Sequence, residues 1–327
     1  MKIIVSFGDP NGIGFETFVK SFYVSEIAFN EIEFTIVANK LTIEEYIEKC
    51  SLQSKATISE NKLFINKHNI SIIDIPNVKI KFGKTSSEAG LFSYNSLKIA
   101  TELAKKKEYD ALLTLPISKY SMKLVGFNFP GHTEYLAYED NCDYYLMILF
   151  NERMKVALAT THIPLREVAN YITKELLYKN INTFYNSLIY DFGIINPKVA
   201  VLSLNPHSGE MGNIGDEENE IIIPVLNEFH SQLLSINGPF ASDSFFRNDD
   251  YLKYDGIFAM YHDQGLIPLK INSRNGGVNF TAGLSFIRVS PDHGTAFDIA
   301  GRNMANPMST YQSIIWSKLI FDNHKKI

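Results

Sequence analysis

Three histidines stand directly after short apolar runs that have the character of buried strands. His162 follows VALATT, His207 follows AVLSLNP and His262 follows GIFAMY. In open α/β sheets, ligands bind at the carboxyl ends of the strands. Three neutral imidazoles there would suit a divalent transition metal such as Zn²⁺, Co²⁺, Mn²⁺ or Fe²⁺. Spacings of 45 and 55 residues separate the three, so only the tertiary fold can assemble such a metal site.

A second group of residues has the chemistry of an anion site. Its members are His132, Thr133, Lys270, Asn279 and Arg288. Arginine binds a phosphate or carboxylate bidentately, and lysine supplies a compact positive charge. A single Lys or Arg is usually a solvated surface residue. The prediction of an anion site therefore depends on the closeness of Lys270, Asn279 and Arg288 to His262 in the sequence.

A glycine-rich turn, GDPNGIG at residues 8–14, follows the first apolar run. A dinucleotide fingerprint, GxGxxG, would ordinarily lie at this place, but Thr17 stands where its third glycine is needed. The turn is either a tight strand-to-helix connection or a loop that faces the substrate, and the sequence leaves both open.

Length and composition restrict the class of protein. With 327 residues, 45% of them hydrophobic and 20% charged, the chain has the size of about two globular domains. Its net charge of −5 argues against a nucleic-acid binder. We expect no membrane span, because no apolar run approaches the ~20 residues required. The first residues do not form a signal peptide, and Cys50 and Cys142 form no CxxC pair, so we expect a cytoplasmic protein.

Hydrophobic periodicity predicts an α/β fold with a mostly parallel sheet, since short β-branched runs alternate with longer helical patterns. The predicted strands are 3–7, 33–37, 111–115, 144–150, 155–160, 198–204, 256–260 and 286–289. The predicted helices are 42–50, 91–107, 174–190, 217–234 and 310–321. Thr42 and Glu45 have the spacing of a capping box at the first of these helices.

Several motifs resemble those of known enzymes. HGTAFDIAG, beginning at His293, resembles the loop that holds the adenosine end of NAD(P) in the isocitrate and isopropylmalate dehydrogenase group. Across nearly the whole chain, the motifs resemble the 4-hydroxythreonine-4-phosphate dehydrogenase family, which is related in fold to that group. They are GDPNGIG, LPISK, GHTE, ALATTHIPLREV, LNPHSGEMGNIGDEE, YHDQGLIPLK and GVNFTAGLSFIRVSPDHGTA.

The resemblance implies two α/β/α domains of the isocitrate/isopropylmalate dehydrogenase type, with the active site in the cleft between them. The first domain would comprise residues 1–135 and 285–327 and carry the NAD loop. The second would comprise residues 136–284 and carry the metal and dimer contacts. The family further implies a homodimer with shared active sites, in which His262 enters the site of the partner subunit.

The resemblance also assigns roles to individual residues. One divalent ion per site, Zn, Mg, Co or Mn, would be bound by His162, His207 and His262. Substrate contacts would come from His132, Thr133, Lys270, Asn279 and Arg288. Cofactor contacts would come from His293, Gly294, Thr295 and Asp298. The Asp298 carboxylate would bind ribose hydroxyls and repel a 2′-phosphate, which favours NAD over NADP. Lys270 and Asp243 are alternative groups for proton transfer.

The activity implied is NAD-dependent, metal-assisted oxidation of 4-phosphooxy-L-threonine at C3, followed by decarboxylation to 3-amino-2-oxopropyl phosphate in vitamin B6 biosynthesis. A dehydrogenase of D-threonate or D-erythronate 4-phosphate is the nearest alternative. A phosphate acyltransferase and a non-catalytic metabolite-binding protein are further ones. Leu115 and Met211 stand where the family has glycine, in loops expected to border the site, which leaves room for a shifted substrate preference.

Overall fold

Strands and helices alternate along the computed structural model, which describes residues 1–25, 28–60, 62–247, 249–273 and 275–326. The α/β prediction is confirmed. The chain divides into two compact units. Unit 1 comprises Met1–Cys142, Asn275–Asn279 and Leu284–Phe321, and unit 2 comprises Asp143–Arg274, Phe280–Gly283 and Asp322–Ile327.

The strands of the described chain range from four to seven residues in length. They are β1 (Lys2–Ser6), β2 (Glu33–Ala38), β3 (Ala56–Ser59), β4 (Lys62–Ile65), β5 (His68–Asp74), β6 (Ala111–Thr114), β7 (Leu146–Phe150), β8 (Lys155–Leu158), β9 (Val199–Leu202), β10 (Ile236–Phe240), β11 (Gly256–Ala259), β12 (Val278–Ala282) and β13 (Ile287–Pro291).

The helices are α1 (Gly14–Ser21), α2 (Lys40–Lys49), α3 (Ser87–Lys105), α4 (Lys119–Lys123), α5 (His132–Asp140), α6 (Val168–Tyr171), α7 (Lys174–Tyr190), α8 (Ile223–Ser231), α9 (Ser242–Arg247), α10 (His262–Ile271) and α11 (Met308–His324). Short 3₁₀ segments lie at Leu165–Glu167, Pro206–Gly212 and Asp250–Lys253, and a π turn at Glu218–Ile222 precedes α8. In the described part of the chain, none of these helices combines the length and the apolar character of a membrane span.

In unit 1 the strand order is β13-β6-β1-β2-β5-β4-β3. The pairs from β13 to β5 are parallel, and the β5-β4-β3 meander is antiparallel. All four residues of β6 and four of the five in β1 are buried, as expected for parallel strands with both faces covered. The segments that follow β13, β6 and β1 therefore emerge along one edge of this sheet.

In unit 2 the strand order is β10-β9-β11-β8-β7. The pairs are parallel except for the β7–β8 hairpin, whose turn is held by Asn151 Oδ1 accepting from the N–H groups of Arg153 and Met154. Because β11 pairs with both β8 and β9, the three strands that precede the predicted metal ligands are neighbours. Leu266 and Leu269 bury α10 in a core shared with these strands.

Each predicted strand and helix has a counterpart in the structure, with shifted ends. Strands β3, β4, β5, β10 and β12 were not predicted. The capping-box prediction was wrong, because Asn39 occupies the N-cap three residues earlier and its Oδ1 accepts from the N–H of Leu41 at 2.9 Å. The Thr42 hydroxyl bonds instead to the backbone of Val78.

Candidate active site

Arg288 forms the centre of a polar cluster in unit 1. In the parallel pair β13–β6, Arg288 is the register partner of Leu112. Thr114, two residues further along β6, therefore points to the same face as the arginine. Arg288 Nε and Nη2 donate to Thr114 Oγ1 at 3.1 and 2.8 Å, and Nη1 donates to Thr133 Oγ1 at 3.5 Å. The structure thus brings together two of the predicted anion ligands.

The Arg288 guanidinium is almost completely withdrawn from solvent, with 1% of the residue exposed. Burial lowers the pKa of Arg288 from 12.5 to about 9, and the Glu134 carboxylate opposes this change. A buried cation of this kind is stabilised by an anion that replaces its lost hydration. The cluster is therefore suited to a phosphate or carboxylate group.

Helix α5 strengthens the same cluster. Its first helical residue is His132, and Gly131 at the N-cap offers no side-chain hydrogen bond to the N–H groups of the first turn. Such a helix N-terminus attracts anions. Within the described chain, His132 Nε2 is buried without a hydrogen-bond partner. Burial, aided by the charges of Arg288 and Lys119, holds the pKa of His132 well below 6.5, so its imidazole is neutral.

The remaining predicted substrate residues lie on two other elements, one of them the strand next to β13. Asn279 lies on β12 and belongs to unit 1, and its Oδ1 is buried. Lys270 is exposed near the end of α10 in unit 2. Lys270 lies eight positions after His262 in this helix, about 12 Å along its axis at the rise of an α-helix.

The predicted cofactor residues lie on the segment that follows β13 in unit 1. The Ile13 N–H donates to the carbonyl of Thr295 at 3.0 Å. A Cβ added at Gly12 would lie 2.9 Å from Thr295, so only glycine allows this approach. The glycine-rich turn therefore connects β1 to α1 and also supports the predicted cofactor segment.

The cofactor segment also presents groups to solvent. Gly294 and Asp298 are exposed, and His293 Nδ1 lies 3.0 Å from the Gly294 carbonyl. An exposed carboxylate can accept hydrogen bonds from a pair of ribose hydroxyls, and a glycine backbone can approach a ligand closely. These donors and acceptors fit the adenosine end of a nicotinamide cofactor.

In unit 2, His162 and His262 line one pocket of about 330 Å³, and their ring centroids lie 6.2 Å apart. Thr160, Thr161, Leu165 and Tyr261 contribute to its wall. Asp263 Oδ1 lies 2.7 Å from His262 Nδ1, a contact that orients the ring and leaves Nε2 as the atom that could bind a metal. Imidazoles arranged in this way fit a divalent transition metal.

His207 lies in a turn of unusual backbone geometry. Five consecutive residues, His207 to Met211, have φ between 45° and 74°, which is the left-handed region. The buried Glu218 carboxylate holds the base of the turn by accepting from the N–H groups of Leu204 and Asn205, both at 2.8 Å. Among the described residues, no three His, Cys, Asp or Glu side chains are grouped to hold a metal. A single chain thus brings together two of the three predicted ligands.

Asp243, the other predicted proton-transfer residue, is exposed in the first turn of α9. Gln264, which the sequence motifs did not single out, bonds to the residue that precedes Asp243. Its Nε2 donates to the Ser203 carbonyl at 2.6 Å and to Ser242 Oγ at 2.8 Å, and its Oε1 accepts from the Met260 N–H at 2.7 Å. Gln264 therefore joins the ends of β9 and β11 to the start of α9.

Other residues that sequence reasoning missed surround Arg288 and His132. They are Thr114, Lys119 and Glu134. Two of them belong to the motifs LPISK and GHTE, and Thr114 directly precedes the first of these. The motifs were therefore the available signal, but the pairing of each residue with Arg288 or His132 depends on tertiary structure.

Comparisons with known proteins agree along almost the whole chain. Residues 30–317 match the sequence model of the family described as pyridoxal phosphate biosynthetic protein PdxA. A 4-hydroxythreonine-4-phosphate dehydrogenase of Bacteroides thetaiotaomicron is 39% identical over 330 residues, covering 100% of this chain and 90% of the relative. A D-threonate 4-phosphate dehydrogenase of Salmonella typhimurium is 35% identical, covering 95% of this chain and 96% of the relative.

A crystal structure supports the same grouping. The 4-hydroxythreonine-4-phosphate dehydrogenase of Klebsiella pneumoniae matches with a TM-score of 0.82 at 33% identity, covering 98% of this chain and 99% of the other. Family model, sequence relatives and solved structure thus agree over nearly the full length. The chain therefore belongs to the PdxA family of pyridoxal phosphate biosynthetic proteins.

Proposed function

We propose that this protein is an NAD-dependent 4-hydroxythreonine-4-phosphate dehydrogenase. It oxidises 4-phosphooxy-L-threonine at C3, and the resulting β-keto acid loses carbon dioxide to give 3-amino-2-oxopropyl phosphate. The observation that carries this proposal is the buried Arg288, bonded to Thr114 and Thr133 beside the N-terminus of α5. A doubly charged phosphate is the substrate group that benefits most from such a site.

In this proposal, His132, Thr133, Asn279, Lys270 and Arg288 bind the substrate. Arg288 and Thr133 donate hydrogen bonds to the phosphate oxygens. The neutral His132 donates or accepts a single hydrogen bond without adding charge, because its pKa is well below 6.5. We further propose that the chain has the two-domain arrangement of the isocitrate dehydrogenase type, with the active site in the cleft between the domains.

The segment containing His293, Gly294, Thr295 and Asp298 binds the cofactor. Asp298 accepts hydrogen bonds from the ribose hydroxyls. Its negative charge disfavours the 2′-phosphate of NADP, so we propose NAD as the cofactor. When bound, NAD⁺ accepts the hydride that leaves C3. The backbone hydrogen bond from the Ile13 N–H to the Thr295 carbonyl holds the segment that contains Asp298.

His162, His207 and His262 are the proposed ligands of one divalent metal, Zn, Mg, Co or Mn. A metal bound there would act as a Lewis acid toward the substrate oxygens during oxidation and decarboxylation. The chemistry of the donor set fits, because three neutral imidazoles are good ligands for such an ion. We propose a cytoplasmic homodimer in which His262 serves the partner's site, so that two chains complete the ligand set.

Lys270 and Asp243 are the alternatives for proton transfer. One group must take the proton of the C3 hydroxyl, and a proton must return to carbon after carbon dioxide departs. Asp243 starts α9 beside Ser242, which Gln264 holds in place. The pH dependence of kcat in Lys270→Met and Asp243→Asn identifies the group, because one limb of the profile disappears in the relevant variant.

A second candidate is oxidation of D-threonate 4-phosphate, in which a hydroxyl replaces the amine at C2. It is favoured by the 35% identity to the Salmonella typhimurium D-threonate 4-phosphate dehydrogenase. Both substrates carry the phosphate that Arg288 would bind. Their kcat/KM ratio measures the preference directly, and D-erythronate 4-phosphate belongs in the same series.

The decisive experiment measures NADH absorbance with purified protein, NAD⁺ and 4-phosphooxy-L-threonine, before and after chelation and metal addition. We expect NADH formation that the chelator abolishes and the metal restores. Turnover of the threonate or erythronate phosphates alone would favour the second candidate. Binding of the substrates without NADH formation would contradict the dehydrogenase proposal and favour a binding protein.

A further inference from the structure

Glu16 is a charged residue that none of the roles above uses, although it lies in the hydrophobic interior of unit 1. It belongs to α1 and is completely buried. Its Oε1 accepts from the Ala305 N–H at 2.7 Å and from Lys20 Nζ at 2.6 Å. A buried carboxylate is retained only when its hydrogen bonds compensate for lost hydration. Here one of those bonds goes to the segment that follows the predicted cofactor residues.

Lys20, one turn further along α1, binds the same segment. Its Nζ donates to the carbonyl of Asn303 at 2.9 Å and to that of Ala305 at 3.2 Å, in addition to Glu16. The ammonium group thus makes its three donor bonds to one carboxylate and two backbone carbonyls. Together, Glu16 and Lys20 bind both the donor and the acceptor group of the Ala305 backbone.

The other Glu16 oxygen is also occupied. Cys50 Sγ lies 3.5 Å from Glu16 Oε2, and burial, with the Glu16 charge, raises the pKa of Cys50 to about 12. The thiol therefore stays protonated and donates to the carboxylate. This agrees with a structural role for Cys50 and fixes the orientation of the Glu16 side chain.

The segment from His293 to Ala305 is consequently held near both of its ends by α1 and its N-cap residue. The Ile13 N–H binds the Thr295 carbonyl, and Glu16 with Lys20 binds the backbone of 303–305. Asp298, the proposed ribose ligand, lies between these attachments and is exposed. Fixing both ends of a loop reduces the ordering that a ligand must impose when it binds.

We propose that Glu16 and Lys20 are positioning residues for the nucleotide cofactor, because they hold the 293–305 segment in the shape that presents Asp298. The inference rests on the proposed use of NAD by this segment. It adds a role for a buried ion pair that touches neither the substrate nor the cofactor. The expected consequence is a specific effect on cofactor affinity, without an effect on the anion site around Arg288.

Hydrogen–deuterium exchange of the full chain tests the attachment without relying on activity. The variants are Glu16→Gln, which keeps an acceptor but removes the charge, and Lys20→Met, which removes the bonds to Asn303 and Ala305. We expect amide exchange in 295–305 to accelerate about fivefold or more in each variant, since hydrogen bonds to charged groups are the stronger ones. Exchange in β2 should stay unchanged and reports that the fold is intact.

Equilibrium binding then tests the consequence for the cofactor. Isothermal titration with NAD⁺ should show Kd raised about fivefold or more in both variants, while Kd for inorganic phosphate stays within about twofold of wild type. Glu175→Gln is the matched control, because Glu175 and Lys179 form a pair with the same spacing and the same 2.6 Å distance on the surface of α7. It should change neither quantity.

Each outcome bears on the inference. Unchanged exchange in 295–305 in both variants would overturn the attachment. Faster exchange with unaltered NAD⁺ affinity would overturn the positioning role. If the wild-type protein binds no NAD⁺, the proposed cofactor is wrong and the positioning role falls with it, while the exchange data still decide whether Glu16 and Lys20 hold the segment.

Discussion

Replacing Arg288 by methionine separates the stability of unit 1 from its capacity to bind an anion. Burial lowers the pKa of Arg288 from 12.5 to about 9. At 1.36 kcal/mol for each pKa unit, this corresponds to about 5 kcal/mol of unfavourable free energy for the charged group at neutral pH. The two hydrogen bonds to Thr114 Oγ1, at 2.8 and 3.1 Å, offset much of it, at roughly 1.5–3 kcal/mol each.

The near balance of these contributions sets the expected result. Glu134 carries the charge opposite to that of Arg288, so it is replaced as well. The double variant Arg288→Met/Glu134→Gln should have a free energy of unfolding within about 2 kcal/mol of wild type. Urea denaturation with and without inorganic phosphate is the assay. Phosphate at ten times its Kd should stabilise the wild type by about 1.4 kcal/mol and the double variant not at all.

Arg166→Met is the matched control, because the Arg166 side chain is 82% exposed and should affect neither stability nor phosphate protection. A double variant that loses more than about 3 kcal/mol in the absence of phosphate would show that Arg288 is a structural residue. Undiminished phosphate protection in that variant would refute the anion site itself.

Three further results are expected. Met211 has φ of 58°, so Met211→Gly should raise the free energy of unfolding in urea by about 0.5–1 kcal/mol. Burial raises the pKa of Asp9 from 3.8 to about 6, so the folded chain binds more protons than the unfolded chain between these values. The free energy of unfolding of the wild type, taken relative to that of Asp9→Asn at the same pH, should therefore fall by about 3 kcal/mol from about pH 4 to pH 6. The comparison removes the opposite contribution of groups common to both proteins, such as His132, whose pKa is lowered by burial. His207→Ala should abolish metal-dependent NADH formation with an unchanged circular dichroism spectrum, and near-normal turnover would exclude this residue as a ligand.

The placement of the three histidines was predictable because it depends on strand order and polarity. Their strands β8, β9 and β11 are apolar and parallel to one another, so residues that follow them emerge at a common edge. The 6.2 Å approach of His162 to His262 agrees with that reasoning. The shape of the loop that carries His207 was not predictable, because four of its five left-handed residues are not glycine.

Strands β3 to β5 escaped prediction for a different reason. They form an antiparallel meander of strands only four to seven residues long, in which β3 and β5 bury one residue each and β4 buries two. The alternating hydrophobic pattern that would predict these strands is therefore weak, and the polar composition of residues 51–74 obscures it. The cap of α2 was misplaced because Asn39 and Thr42 are both acceptable N-cap residues, and only the tertiary bond of Thr42 to Val78 distinguishes them.

The two departures from the family's glycines carry different weight for substrate preference. Leu115 is completely buried, and its Cβ would lie 3.2 Å from a Cβ added at Gly14. Its side chain therefore packs beneath the glycine-rich turn. The residue beside it in the chain, Thr114, accepts two hydrogen bonds from the Arg288 guanidinium. Met211 is 98% exposed, so it is free to contact a ligand or a partner subunit, and a change of specificity is better sought there.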